Sequence, residues 1–475
     1  MNRDPIVLKA GCAKIEISPD QPLRGRHDVL IVVEPEKPIF AHALALQTDS
    51  RPLLLISCDL VGFFAEFAGE LEARVAAALG IPAQRVVLWG THSHSCPCTN
   101  RQVEAFGRRE NLGTSNQSWY ETLAARLCDA ATQAVSRLEP VTIAGGRGAV
   151  DGIASNRIIQ MPDGSVRMRG GELCEAPDGA IDPDVRSLFF RRRDGTAMAI
   201  LMNYASHPTS LDGGYTYHVN PDYPGYAVDR IAAELGEDVC CLFGMGAAGN
   251  INCRKYATLT NGRNLDEAAC LGGILGDEVV RQFHAVTTGL DIDDMELTVD
   301  HATFPGDDKL VPKLDSAVVE LDAATAAYRK AMSATAGDEL STATQSLFKA
   351  MWQVSHAQAV DGDGRIPVAL RRLRLGDEVC VLFAAGEYFV EIGKEIFARS
   401  DFPLTYFVTA VHLDPLYVPD HTSFATLIGR GDAYGVDRMR RINRLGCTEL
   451  ADWLVAAASA NRLTQQKTTE PTGVA

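Results

Sequence analysis

The sequence predicts an α/β fold of layered mixed sheets with flanking helices. Three observations carry that expectation: short apolar runs dense in Val, Ile and Leu, helical periodicity between them, and polar or glycine-rich motifs where the runs end. The runs cover 52–58, 85–89, 197–203, 239–243, 378–383 and 406–411. Continuous apolar runs of this length read as strands covered on both faces. Helices are expected at 70–79, where Gly80 supplies a stop, at 120–136, at 228–235 before Gly236, and at 265–283, 317–332, 347–354 and 449–460. Buried strands alternating with helices give a layered α/β domain.

In such sheets, ligands bind beyond the carboxyl ends of the strands. Each run here finishes in residues capable of chemistry or of close backbone approach. These are Asp59, Gly90-Thr91-His92-Ser93-His94, Ser206-His207-Pro208, Gly244-Met245-Gly246-Ala247-Ala248-Gly249-Asn250, Gly386-Glu387 and His412-Leu413-Asp414.

The 475 residues are 46% hydrophobic and 22% charged, ordinary for a soluble globular chain. No window approaches the roughly 18 uninterrupted apolar residues of a membrane span, so no integral membrane segment is expected. The formal charge of −16 disfavours a nucleic-acid partner, because an acidic surface repels phosphate. Residues 1–10 show no cationic stretch followed by an apolar core, which gives the expectation of a cytoplasmic protein. The 12 cysteines are scattered and many lie within apolar runs; in a reducing compartment they read as small hydrophobes. No internal repeat is evident. The expected organisation is one catalytic domain over 1–464, with a helical insertion or lid at about 300–364 and a disordered polar tail over 465–475.

His92-Ser93-His94 is the sharpest local signal. Histidines at i and i+2 on extended chain point the same way, which suits a metal ligand beside a second ligand or a proton carrier. A hydrogen-bonded structural pair fits the same string. His207, held extended by Pro208, is a third candidate ligand or an ordinary histidine. Glu387, between a strand and a helix start, is an anionic ligand or a carboxylate resting on a helix dipole. The glycine-rich turn at 244–252 fits neither a dinucleotide fingerprint nor a P-loop. It permits close approach to a ligand or forms a tight turn. Cys96 and Cys98 read as packing thiols, with a His/Cys zinc site or a nucleophilic cysteine as the other readings.

Taken in order, these motifs resemble the catalytic domain of the neutral/alkaline non-lysosomal ceramidase family, from about Gly11 to about Tyr434. Ala10 to Ile15, the strand ending at Asp59, Gly90 to Ser95, Asp182 to Val185, Asn203 to His207, Gly246 to Asn250, Gly386-Glu387 and Leu416 to Pro419 fall in family order. The resemblance implies a ceramidase-like fold and one catalytic zinc (Zn2+) held by His92, His207, Glu387 and Tyr417, with His94 beside the metal as proton carrier. Tyr417 is also a candidate oxyanion stabiliser, and Asn250 and Asn252 are candidates to orient a carbonyl. Asn252 stands where the family carries a serine, and Cys96-Pro97-Cys98 replaces a Gly-Pro-Gly. The expectation is a zinc-dependent amidohydrolase cleaving a non-peptide C–N bond of a small N-acyl or cyclic amide by metal-activated water. An ester or lactone hydrolase, a true ceramidase and an inert zinc-binding homologue are the alternatives. The expected partner is a small-molecule amide, and a homo-oligomer is left open.

Overall fold

The computed structural model describes residues 7–20, 23–24, 30–31, 36–48, 51–99, 117–169, 179–211, 218–253, 265–307, 312–333, 337–359, 364–413, 415–427 and 442–459. Three sheets organise these residues, two of four strands and one of four with a fifth, two-residue edge strand at Glu139–Pro140, and the four-stranded part of each follows one plan. Three strands run antiparallel, and a helical crossover then adds a fourth in parallel. In the first sheet, β1 (Lys9–Glu16), β2 (Phe40–Gln47) and β3 (Leu53–Cys58) are antiparallel; α1 (Ala65–Leu79) leads to β4 (Val86–Gly90) beside β3. Helix α2 (Gln117–Ser136) follows.

The second sheet repeats this with β5 (Thr142–Ala149) and, after the short strand β6 (Ala154–Asn156), β7 (Asp184–Arg191) and β8 (Ala197–Tyr204). Helix α3 (Asp222–Leu235) then leads to β9 (Cys240–Met245), parallel to β8. Strand β10 (Ile251–Cys253) pairs with β6, and α4 (Leu265–Ala285) follows. The third sheet comprises β11 (Met295–Pro305), β12 (Arg365–Leu375), β13 (Val379–Ala384) and, beyond the two-residue strand β14 (Glu387–Tyr388) and helix α7 (Val390–Arg399), β15 (Leu404–Val408), parallel to β13. Helices α5 (Leu314–Ser333) and α6 (Gly337–Ala359) separate β11 from β12, and β16 (Tyr417–Val418) and α8 (Arg444–Ala457) lie beyond β15 in the chain.

One central core joins the three sheets. Leu44, Leu55 and Trp89 come from the first, Leu188, Leu201 and Leu242 from the second, and Leu373, Val381 and Tyr406 from the third. Each sheet covers its other face with its own helices: α1 and α2, α3 and α4, α7 and α8. Buried polar bonds tie the sheets together. Trp89 Nε1 donates to the Phe243 carbonyl at 2.8 Å, and Asn203 Nδ2 donates to the Phe407 carbonyl at 2.9 Å.

The repetition is one of topology, and no sequence repeat accompanies it. The runs read as doubly covered strands are β3, β4, β8, β9, β13 and β15, the strands that form the parallel pairs of the three units. The helical insertion is narrower than 300–364. Residues 300–305 belong to β11, and the helical hairpin carries its own small core of Leu321, Leu347, Ala350 and Met351. The tail at 465–475 lies outside the described residues. Among the described residues, no helix is long and apolar enough to cross a membrane.

Candidate metal centre

The parallel pairs direct their carboxyl ends to one place. Beyond β4 come His92 and His94, beyond β8 His207, beyond β13 Glu387 and beyond β15 Tyr417. Local backbone sets each position. His92 itself adopts φ 66°, Gly386 before Glu387 adopts φ 99°, and Leu416 before Tyr417 adopts φ 65°. A left-handed non-glycine residue costs on the order of 1–3 kcal/mol and clusters at functional sites. The extended chain expected for His92-Ser93-His94 is therefore corrected: a left-handed turn, rather than strand alternation, brings the two rings together.

The rings of His92, His94 and His207 lie edge to face, with centroids 5.1 Å apart for His92 and His94, 4.9 Å for His92 and His207, and 5.5 Å for His94 and His207. Among the described residues, these three form the group of metal-capable side chains whose ligand atoms fall within 4.8 Å of one another, and all are buried. The His92 Nδ1 faces the Val61 carbonyl at 2.7 Å; the His207 Nδ1 faces the carbonyls of Ala248 at 2.7 Å and Ile251 at 3.0 Å. A carbonyl only accepts, so each Nδ1 carries the proton and each Nε2 presents a lone pair. Both Nε2 atoms face Glu387 Oε2, at 3.0 Å from His207 and 3.7 Å from His92.

An imidazole lone pair against a carboxylate oxygen places acceptor against acceptor. Burial pushes His207 down to about 4, so it is neutral at pH 7. Burial disfavours ionisation of Glu387, but the charge of His92 and hydrogen bonds from His207 and His92, where those rings are protonated, outweigh it and hold the carboxyl well below its usual range. A neutral imidazole and a buried carboxylate in this geometry fit a shared divalent cation, with backbone carbonyls orienting the rings from behind. The donor set suits a metal ion.

Tyr417 pairs in register with Glu387 across parallel strands β14 and β16, so the two side chains leave the same face of the ribbon. The Arg157 guanidinium lies 5.1 Å from the centre of the Tyr417 ring. Arg157 is 1% exposed and donates to Asn252 Oδ1 at 3.3 Å and to the Gly249 carbonyl. Sequence reasoning missed this arginine, because a single cation after a short polar strand carries no signal of burial. Asn252 also bridges His207 through the backbone. Asn250 spends its amide on α7, accepting from Val390 N at 2.9 Å and donating to Glu391 Oε2 at 3.0 Å. Cys96 is buried, its thiol donating to the Asn220 carbonyl at 3.2 Å.

No family model matches the chain, and no curated protein matches it in sequence. Solved structures do. The crystal structure of neutral ceramidase from Pseudomonas aeruginosa superposes with a TM-score of 0.67 at 16% identity, covering 96% of this chain and 74% of that one. The chain has a ceramidase-like fold. A ceramidase complexed with C2 matches equally, with a TM-score of 0.67, 16% identity and 95% and 75% of the two chains covered. The ceramidase-like fold thus spans all three sheets of this protein, and the buried histidine group lies at the carboxyl ends of their parallel pairs.

Proposed function

We propose that this protein is a zinc-dependent hydrolase that cleaves the C–N bond of a small N-acyl or cyclic amide. The observation that carries the proposal is the pair of Nδ1-anchored imidazoles, His92 and His207, aiming their second nitrogens at the buried Glu387 carboxylate. Two imidazoles and one carboxylate are the donor set of hydrolytic zinc sites that keep a position open. Tyr417, in register with Glu387, completes the proposed ligand set. When bound, the zinc ion supplies Lewis acidity, lowering the pKa of water and polarising a carbonyl.

The protein's own groups do the rest. His94, its ring centroid 5.1 Å from that of His92 and 5.5 Å from that of His207, receives a proton from the attacking water and returns it to the leaving nitrogen. Asn252 has no hydroxyl to acylate, which is compatible with direct attack of water on the carbonyl, a route that needs no acyl-enzyme. Arg157 fixes the Asn252 amide and stacks on Tyr417, which orients the polar wall of the site. Asn250 acts at one remove, by holding the start of α7 behind Glu387.

Paired amide and ester probes with matched acyl groups, including an N-acyl sphingoid base, test this reading. Hydrolysis of a soluble amide, abolished by a chelator and restored by zinc, is expected. Turnover of esters but not amides would move the assignment to an esterase. Preference for the sphingoid amide would make it a ceramidase. Turnover unaffected by complete metal removal would overturn the proposal.

A further inference from the structure

The loops that carry the three histidines come from different sheets. His92 and His94 follow β4 of the first, and His207 follows β8 of the second. The loops meet directly where His94 N donates to the Pro208 carbonyl at 3.1 Å. Further links run through the entry to α3, at Asn220, Asp222 and Tyr223.

Asn220 grips the first loop. Its N–H donates to the Ser95 carbonyl at 3.1 Å, and its carbonyl accepts from Ser93 Oγ at 3.0 Å and from Cys96 Sγ at 3.2 Å. These bonds bracket His94. Asp222 and Tyr223 grip the second loop. The Asp222 carboxylate accepts from Ser210 Oγ and, at 3.0 Å, from Leu211 N. Tyr223 Oη donates to the Ser206 carbonyl at 2.7 Å. These bonds bracket His207. Two more fuse the grips: Asp222 N donates to Asn220 Oδ1 at 2.9 Å, and Tyr223 N donates to Asp222 Oδ1 at 2.6 Å. Asp222 reaches this arrangement at φ 55°, a left-handed conformation that a residue other than glycine keeps where its surroundings impose it. Ser93, Ser210, Asn220 and Asp222 are each 0% exposed, so water cannot replace a bond that is lost. A ligand role for Asp222 itself is the poorer reading. Among the described residues, the metal-capable group is His92, His94 and His207, and both Asp222 oxygens already accept from protein donors.

We propose that Asp222 is a positioning residue of the candidate metal centre: its carboxylate, with Asn220 beside it, sets the spacing between the His92-Ser93-His94 turn and the His207 loop. The inference rests on the metal-centre reading proposed above. The position calls for a carboxylate because a backbone N–H faces each oxygen, Leu211 N at Oδ2 and Tyr223 N at Oδ1. An asparagine fills the same space and tolerates positive φ. Whichever way its amide faces, however, Nδ2 meets one of those N–H groups donor to donor. Leu211 or Tyr223 then loses its acceptor, and the His207 loop shifts against α3.

The test is cobalt(II) titration of the full chain after chelator treatment, read in the visible d–d bands, which report the number and geometry of the ligands. Wild type should bind cobalt, and His92→Ala should not. Asp222→Asn should bind it about tenfold or more weakly and with shifted bands. Ser93→Ala and Ser210→Ala each remove one bond from one grip, and they carry the test where Asp222→Asn does not fold. Because both act through the same node, their joint loss of cobalt affinity should differ from the product of their separate losses by at least about twofold. Wild-type bands and affinity in Asp222→Asn, even with a lower urea midpoint, would make the aspartate a fold-stabilising residue only and overturn the proposal. Independent losses in the two serine variants would overturn it as well. Cobalt bound equally by wild type and His92→Ala, or by neither, would overturn the metal centre itself, and this inference with it.

Discussion

Gly249→Ala probes the seating of Glu387 without touching a donor atom. A Cβ built on Gly249 would lie 2.6 Å from the Glu387 carbonyl oxygen and 2.9 Å from that of Tyr388. Gly249 N already donates to the Tyr388 carbonyl at 2.7 Å, so the two backbones cannot rotate apart without losing that bond. Ordinary contact begins at 3.4 Å, so β14 must retreat by about 0.8 Å, and the carboxylate moves with it. Overpacking of this kind costs about 1–3 kcal/mol of stability, which a chain of this size tolerates. Disturbing the support of a metal ligand weakens metal affinity by about 10–100-fold, and a displacement near 1 Å costs about 100-fold in turnover. Gly273, within α4 and with nothing inside 4 Å of a built Cβ, is the control; its alanine variant should be slightly more stable and otherwise unchanged. Competition with a chromophoric chelator reads the affinity. A folded Gly249→Ala protein that holds metal as tightly as wild type would refute the placement of Glu387 in the site.

Other consequences follow from buried groups. Burial, with Lys14 adding to it, pushes His42 from 6.5 down to about 3. The unfolded chain therefore takes up a proton below pH 6.5 that the folded chain refuses, and stability falls as the pH falls through that window. Between pH 7 and pH 5 the loss is about 2 kcal/mol, at about 1.36 kcal/mol per unit; urea titrations of His42→Leu should show that much less pH dependence. Arg371 pairs with the buried Glu72 at 2.5 Å. Arg371→Met should cost about 3–5 kcal/mol in denaturant unfolding at pH 9 and less at pH 6, because burial already pushes Glu72 up to about 7 and its carboxyl protonates at the lower pH. A cost independent of pH would contradict this. Asn250→Ala leaves the Val390 N–H and the Glu391 carboxylate without that partner and should cost about 1–3 kcal/mol. Lost turnover with unchanged stability would instead assign Asn250 to the substrate.

The parallel strands were legible because burial on both faces leaves no room for polar residues, as in the LLLISC run of β3. Their antiparallel partners were not. β12, with sequence RIPVALRRLRL, alternates buried and half-exposed positions, and β5, with three glycines, has few side chains to show a period. The topological repeat is invisible for the same reason: it resides in connection and direction, which impose no common side chains. At the site, His92, His94, His207 and Glu387 could be nominated because rare residues followed strand ends. Arg157 could not, and neither could the carbonyls of Val61, Ala248 and Ile251 that anchor the rings, since backbone groups leave no trace in sequence. The left-handed turn at His92 was misread as extended chain because histidine, unlike glycine, does not announce positive φ.

The most direct measurement is the zinc content of purified protein by elemental analysis after dialysis against a weak chelator. The account predicts one zinc per chain in wild type, close to none in His92→Ala, His207→Ala and Glu387→Gln, and a retained zinc without turnover in His94→Ala. Loss of zinc from His94→Ala with retention in Glu387→Gln would replace the carboxylate by a third histidine. Full zinc in both His92→Ala and His207→Ala, or none in wild type supplied with zinc, would contradict the metal centre itself.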